Sequence, residues 1–136
     1  MLCRSRKPCS SVLSSWSEDN GHSWKELTTI GLPNPNSGID AVTLKDNRQL
    51  IVYNHMTKGR NKLHVAISGD GKTWEAVVLL ENDIENREYS YPAVIQTKDG
   101  LVHITYTWNR KQIKHVVIDP EKILTRPIQD GEWPSE

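Results

Sequence analysis

The chain has 136 residues, 36% of them hydrophobic and 25% charged, which is enough for one domain with a packed core. Its 17 Lys and Arg balance 17 Asp and Glu, which argues against nucleic acid or an anionic membrane surface as a general partner. No apolar run is long enough to span a bilayer as a helix, and the basic residues 1–10 lack the apolar stretch of a secretory signal.

Taken in chain order, residues 1–6 read as the end of a strand, and residues 17–24 as a turn. A second turn, rich in Asn, Pro and Gly, covers residues 32–40. Short β-branched runs at 42–44 and 50–53 flank Lys45, Asp46 and Asn47, a turn composition. Residues 62–68 alternate, with Leu63, Val65 and Ile67 on one face and His64 and Ala66 on the other. Further strands are predicted at 77–80, 93–96, 101–106 and 113–118. The prolines fall at or near segment edges, where they harm pairing least. No segment carries helical periodicity, so the chain is all-β.

The strands repeat. Residues 41–53 and 93–106 both read as strand, Lys-Asp turn, strand ending in Tyr, and Trp24 and Trp74 close similar turns. A period of about 50 residues fits one four-stranded blade of a propeller. Cys3 and Cys9 are too few for a disulfide framework and are read as ordinary thiols. His103 and His115 could meet across a hairpin, but no histidine spacing is that of a metal site. No cofactor is expected.

The turn Ser17-Glu-Asp-Asn-Gly-His-Ser-Trp24 has the form S-x-D-x-G-x-[ST]-W. Each residue type suits a hairpin. Asp19 can accept from nearby backbone N–H groups, Gly21 supplies a positive φ, and Trp24 can pack over the sheet. A copy one residue shorter, Ser68-Gly-Asp-Gly-Lys-Thr-Trp74, follows at blade spacing. These turns resemble the Asp-box of sialidase-like (BNR repeat) proteins, and up to about Asp119 the chain is similar to the C-terminal part of that family. The resemblance implies a partial β-propeller, about two to three blades of a six-bladed ring. The divisions expected are 1–30 (outer part of one blade), 31–80 (a complete blade), 81–120 (most of a further blade) and 121–136 (a tail or ring-closing strand). The rest of the ring is expected upstream of Met1.

The same resemblance implies an exo-glycosidase acting on terminal, acidic sugars of a glycan or glycoconjugate, with arginines for the substrate carboxylate and a tyrosine nucleophile. Residues 90–94, followed by Asp99-Gly100 and Tyr106, resemble the stretch carrying that tyrosine, which makes Tyr91 the nucleophile candidate, against the alternative of a core aromatic. Pro92 stands where the family usually has Ser. Tyr89 is the fallback if the register slips. Arg60 resembles the third arginine of the family's triad, against a solvated hairpin arginine. Arg4 resembles the second, with Arg6 as rival. In residues 32–41, Asn34, Asn36, Ser37 and Asp40 are placed to line a central channel, with Asp40 as an acid/base candidate and Gly38 permitting close backbone approach; the alternative is a plain turn entering the blade. Thr107-Trp108 replaces the Glu that the family often has after its strand-ending Tyr. The first arginine and the Asp acid/base of the family have no counterpart in the chain. The expectation is therefore a chain inactive alone, with a non-catalytic carbohydrate-binding or interaction propeller as the alternative, and a glycosidase or lyase for another acidic sugar as a third reading.

Overall fold

The computed structural model describes residues 1–6, 8–85 and 87–135. Among these residues there are eleven strands and no helix. β1 (Leu2–Arg4), β2 (Ser11–Ser14) and β3 (Thr28–Pro33) form the first sheet. β4 (Asp40–Thr43), β5 (Gln49–Tyr53), β6 (Lys62–Ser68) and β7 (Glu75–Asn82) form the second, and β8 (Tyr89–Gln96), β9 (Val102–Trp108) and β10 (Gln112–Ile118) the third. Every pairing is antiparallel between neighbours in sequence, save one. β11 (Arg126–Pro127) turns back and adds to the outer edge of β7. The three sheets do not close into a ring.

The middle strands of the second sheet, β5 and β6, are buried on both faces, and their sequence shows why. Successive side chains of a strand point to opposite faces. In β5, Leu50 and Val52 enter a core shared with the third sheet, among Leu63, Val65, Tyr89, Ile104 and Tyr106. Their alternates, Ile51 and Tyr53, enter a second core with Val12 and Leu32 of the first sheet, Ala66 and Trp74. An unbroken Leu-Ile-Val-Tyr run is what a strand covered on both sides requires. Full burial of each such side chain contributes roughly 1.5–3 kcal/mol, so these two cores fix which sheet faces which.

The Asp-box turns form the same network twice. Asp19 Oδ1 accepts from the Ser23 N–H at 2.8 Å and from the Ser17 hydroxyl at 2.7 Å, and its Oδ2 accepts from the Ser23 hydroxyl at 2.5 Å. Asp70 Oδ1 accepts from the N–H groups of Lys72 and Thr73, at 2.8 and 2.7 Å, and its Oδ2 from the Thr73 hydroxyl at 2.9 Å. The two tryptophans differ. Trp74 is buried in the second core, whereas Trp24 is half exposed and its indole N–H bonds the Gly21 carbonyl of its own turn.

Three features depart from the sequence reading. The first sheet continues through Pro33, so the boundary expected after residue 30 falls in the loop before β4. The tail neither closes a ring nor hangs loose: β11 is a fifth strand on the second sheet, and Ile128 N–H bonds the Trp74 carbonyl at 3.1 Å. Pro92 lies inside β8 rather than at its edge. The ladder to β9 is interrupted between Ser90 and Ala93, where a missing N–H costs nothing.

Candidate functional site

The bulge in β8 shapes the site. Tyr91 and Pro92 occupy it, and Tyr91 has a φ of 52°, a left-handed conformation that a bulky side chain rarely adopts. In a regular strand Tyr89 and Tyr91 would share a face. The bulge sends them apart: Tyr89 is 2% exposed and its ring sits in the core, while Tyr91 is 59% exposed. A strained, solvent-facing aromatic held by an otherwise regular strand is the kind of outlier found at binding and catalytic sites.

Charged groups gather around it from three elements. Arg60, from the connection between β5 and β6, places its guanidinium carbon 5.5 Å from the centroid of the Tyr91 ring, within cation–π range. The same guanidinium donates to Glu88 Oε1 at 3.0 Å. Glu88 Oε2 accepts from Arg110 at 2.7 Å, and Oε1 also accepts from the Ser90 hydroxyl at 2.8 Å. Arg110 is set by the β9–β10 turn, in which Asn109 and Arg110 both take positive φ, while the Asn109 N–H bonds the Glu88 carbonyl at 2.7 Å.

The electrostatics favour a bound anion. Burial opposes the charges of both Arg60 and Glu88, but their mutual contact and hydrogen bonds outweigh it. The guanidinium is held above its ordinary value, with Tyr91 and Glu88 as the causes, and the carboxyl is held below its own by Ser90, Arg110 and Arg60. Two guanidinium groups share a single carboxylate, and Lys111 joins Arg110 in lining a recess of about 490 Å³ beside Tyr91. The cluster keeps an excess of positive charge next to an exposed phenol.

The remaining candidates divide. The loop carrying Asn36 reaches the site: a Cβ placed on Gly38 would lie 3.3 Å from Tyr91 Cδ1, so the backbone there passes close against the ring. Asn36 itself is half-buried at a φ of 63°. Asn34 and Ser37 are fully buried and bond each other, the Ser37 N–H reaching Asn34 Oδ1 at 3.1 Å, so they hold the loop rather than line a channel. Asp40 is a tie between sheets: its Oδ2 accepts from the Val94 N–H, across 54 positions of sequence, at 2.7 Å. That bond occupies one oxygen of the acid/base candidate. Tyr89 cannot stand in for Tyr91, because its ring is core and its hydroxyl donates to Asp83 Oδ2 at 2.9 Å. Arg4 is exposed on β1, and none of the residues lining the Tyr91 recess comes from that first sheet.

Sequence reasoning passed over Glu88 and Arg110. Their signal was there in the register. Tyr89 pairs with Trp108, so the residue before Tyr89 must meet the turn after Trp108, and Glu88 opposite an Asn-Arg turn is a charge pair.

The profile of a family described as "BNR repeat-like domain" matches residues 1–104. No curated protein sequence matches the chain.

Proposed function

Since the chain belongs to the BNR repeat-like family, we propose that its Tyr91 cluster is one side of a sialidase-like glycoside hydrolase site for terminal acidic sugars of a glycan or glycoconjugate. The three sheets are read as consecutive blades of a β-propeller, with β4 and β8 as inner strands. The observation that carries the reading is Tyr91 itself, exposed at a left-handed φ beneath the guanidinium of Arg60.

In this reading Arg60 and Arg110 receive the sugar carboxylate, and the Tyr91 oxygen faces the anomeric carbon. A phenol suits that role because the transition state resembles an oxocarbenium ion, and sialidases use Tyr where most glycosidases use a carboxylate. A general acid and a base must complete the reaction. Glu88 is the nearest carboxylate in sequence, but both its oxygens are engaged by arginines. Asp40 has one oxygen committed to Val94. This chain alone therefore binds the acidic sugar and does not turn it over. That same saturation of Glu88 favours a second reading, a propeller that binds glycans without catalysis.

Saturation-transfer NMR of the chain with a methyl sialoside tests the first step. Binding is expected, weakened roughly tenfold or more by Arg60→Ala, as for loss of a charge-assisted contact, and retained in Tyr91→Phe. No saturation in a folded protein would sink the acidic-sugar reading. A longer polypeptide supplying further blades, assayed with a fluorogenic sialoside, separates the two readings: turnover abolished by Tyr91→Phe supports the hydrolase, and binding without turnover supports the second.

A further inference from the structure

A second cavity, of about 750 Å³, lies between the first sheet and β6 and is roofed by residues 130–135. It shares no lining residue with the Tyr91 recess. Its volume is in the range that holds a sugar of one or two rings.

Its floor is His64, which is 2% exposed. The Nδ1 of His64 accepts the backbone N–H of His55 at 3.2 Å. That bond fixes the tautomer: the neutral ring must carry its proton on Nε2. Among the described residues Nε2 has no hydrogen-bond partner, and the ring lines the cavity. Burial keeps the ring neutral, its pKa pushed down to about 3. The cavity floor thus carries an N–H donor with no acceptor among the described residues.

The walls complement that donor. Lys62 stands beside His64 on β6, and Asp130 and Glu132 come from the tail, so donors and acceptors face each other across the space. Trp133 forms an aromatic wall, its ring centroid 4.5 Å from that of His64 and 5.3 Å from that of His55. The tail is pinned to make this wall: His55 Nε2 donates to the Gly131 carbonyl at 2.8 Å, and His55 Nδ1 accepts from the Tyr53 hydroxyl at 2.5 Å.

We propose that this cavity is a binding site for a neutral saccharide, distinct from the acidic-sugar site at Tyr91. A pyranose has an apolar C–H face that can lie on an indole, and hydroxyls that both donate and accept. The cavity offers an indole, a fixed imidazole donor, an ammonium and two carboxylates. Unlike the Tyr91 recess it has no cationic excess, so the fitting ligand is uncharged. The site is independent of the reading given to Tyr91 and stands if that reading fails.

The test is saturation-transfer NMR of the chain with glucose, galactose, N-acetylglucosamine, lactose and cellobiose, beside a methyl sialoside. At least one neutral sugar is expected to show saturation. Trp133→Ala should weaken it roughly tenfold or more, and the exposed Glu132→Gln, which leaves the tail's pinning bonds in place, should weaken it too. Arg60→Ala should leave it unchanged while weakening the sialoside. No saturation by any neutral sugar in a folded protein overturns the proposal. So does neutral-sugar binding that survives both Trp133→Ala and Glu132→Gln, or that is lost with Arg60.

Discussion

Tyr89 and Tyr91 are two positions apart in one strand and do opposite work. The first is core, and its truncation leaves a cavity beside Leu63 and Tyr106. Tyr89→Ala should cost about 3–5 kcal/mol, the range for a large buried aromatic. Tyr91→Gly should change stability by no more than about 1 kcal/mol, because relief of a left-handed φ, about 1–2 kcal/mol, offsets the lost contacts. Urea denaturation of the two variants checks both values. A second residue-scale expectation concerns pH. Burial holds His64 well below its ordinary value of 6.5, at about 3, and lowers His55 as well. The unfolded chain therefore takes up protons near pH 6.5 that the folded chain refuses. The stabilisation is whole above pH 6.5 and is lost as pH falls toward 3. The urea midpoint should drop as pH is lowered from 6.5, and the drop should be shallower in His64→Asn. At this scale the sequence was half legible. Tyr91 and Arg60 were picked out singly, through resemblance to the sialidase-like family. Their partners Glu88 and Arg110 come together only through register, which a bulge at Tyr91-Pro92 and a positive-φ turn at Asn109-Arg110 decide.

At the scale of elements, local pattern foretold the second and third sheets well. The runs at 42–44, 50–53, 62–68 and 113–118 lie within or beside β4, β5, β6 and β10. Strict alternation, or burial on both faces, marks those strands. β3 was missed because Thr28–Pro33 is exposed along much of its length and carries both a Gly and a Pro. β11, foreseen only as a tail or ring-closing strand within 121–136, could not be placed because two residues carry no period at all, and its partner β7 is some 50 residues away. The Asp-boxes were legible because a short-range network needs fixed residue types. The Asp19 carboxyl is held down at about 2 by the Ser23 hydroxyl, the Ser23 N–H and Ser17, and Asp70 lies lower still, held by the backbone N–H groups of Thr73 and Lys72. Both carboxyls are depressed, so what they contribute is present above their ordinary 3.8 and is lost as pH falls through their folded values. Asp70→Asn should lower the thermal midpoint and speed hydrogen exchange of the Thr73 amide by roughly tenfold, consistent with loss of one charge-assisted bond. Exchange unaltered at Thr73 would mean that the turn is held by something other than its carboxylate.

At the scale of the molecule, polar ties join the second and third sheets alongside the apolar core they share. Asp40 to Val94 is one, and Lys45, whose N–H reaches Gln96 Oε1 at 2.8 Å, is another. Asp40→Ala should cost about 1–2 kcal/mol, less than a fully buried charged bond because Asp40 is half exposed. It should speed exchange of the Val94 amide while leaving sialoside binding at Arg60 unchanged. A loss of binding in that variant would return Asp40 to the list of groups that meet the ligand. Trp16, just before the first Asp-box, meets Gly71 in the second. A methyl on Gly71 would come within 2.8 Å of Trp16 Cη2, so the edge of the indole that leads into the first Asp-box abuts the bare backbone of the second. The shorter second turn is thus fitted to its neighbour, and inserting one residue to equalise the two would move the glycine away from the ring edge. A tandem array built by copying such a unit must copy both halves, the ring that reaches forward and the glycine that receives it, or the next unit joins at a different angle.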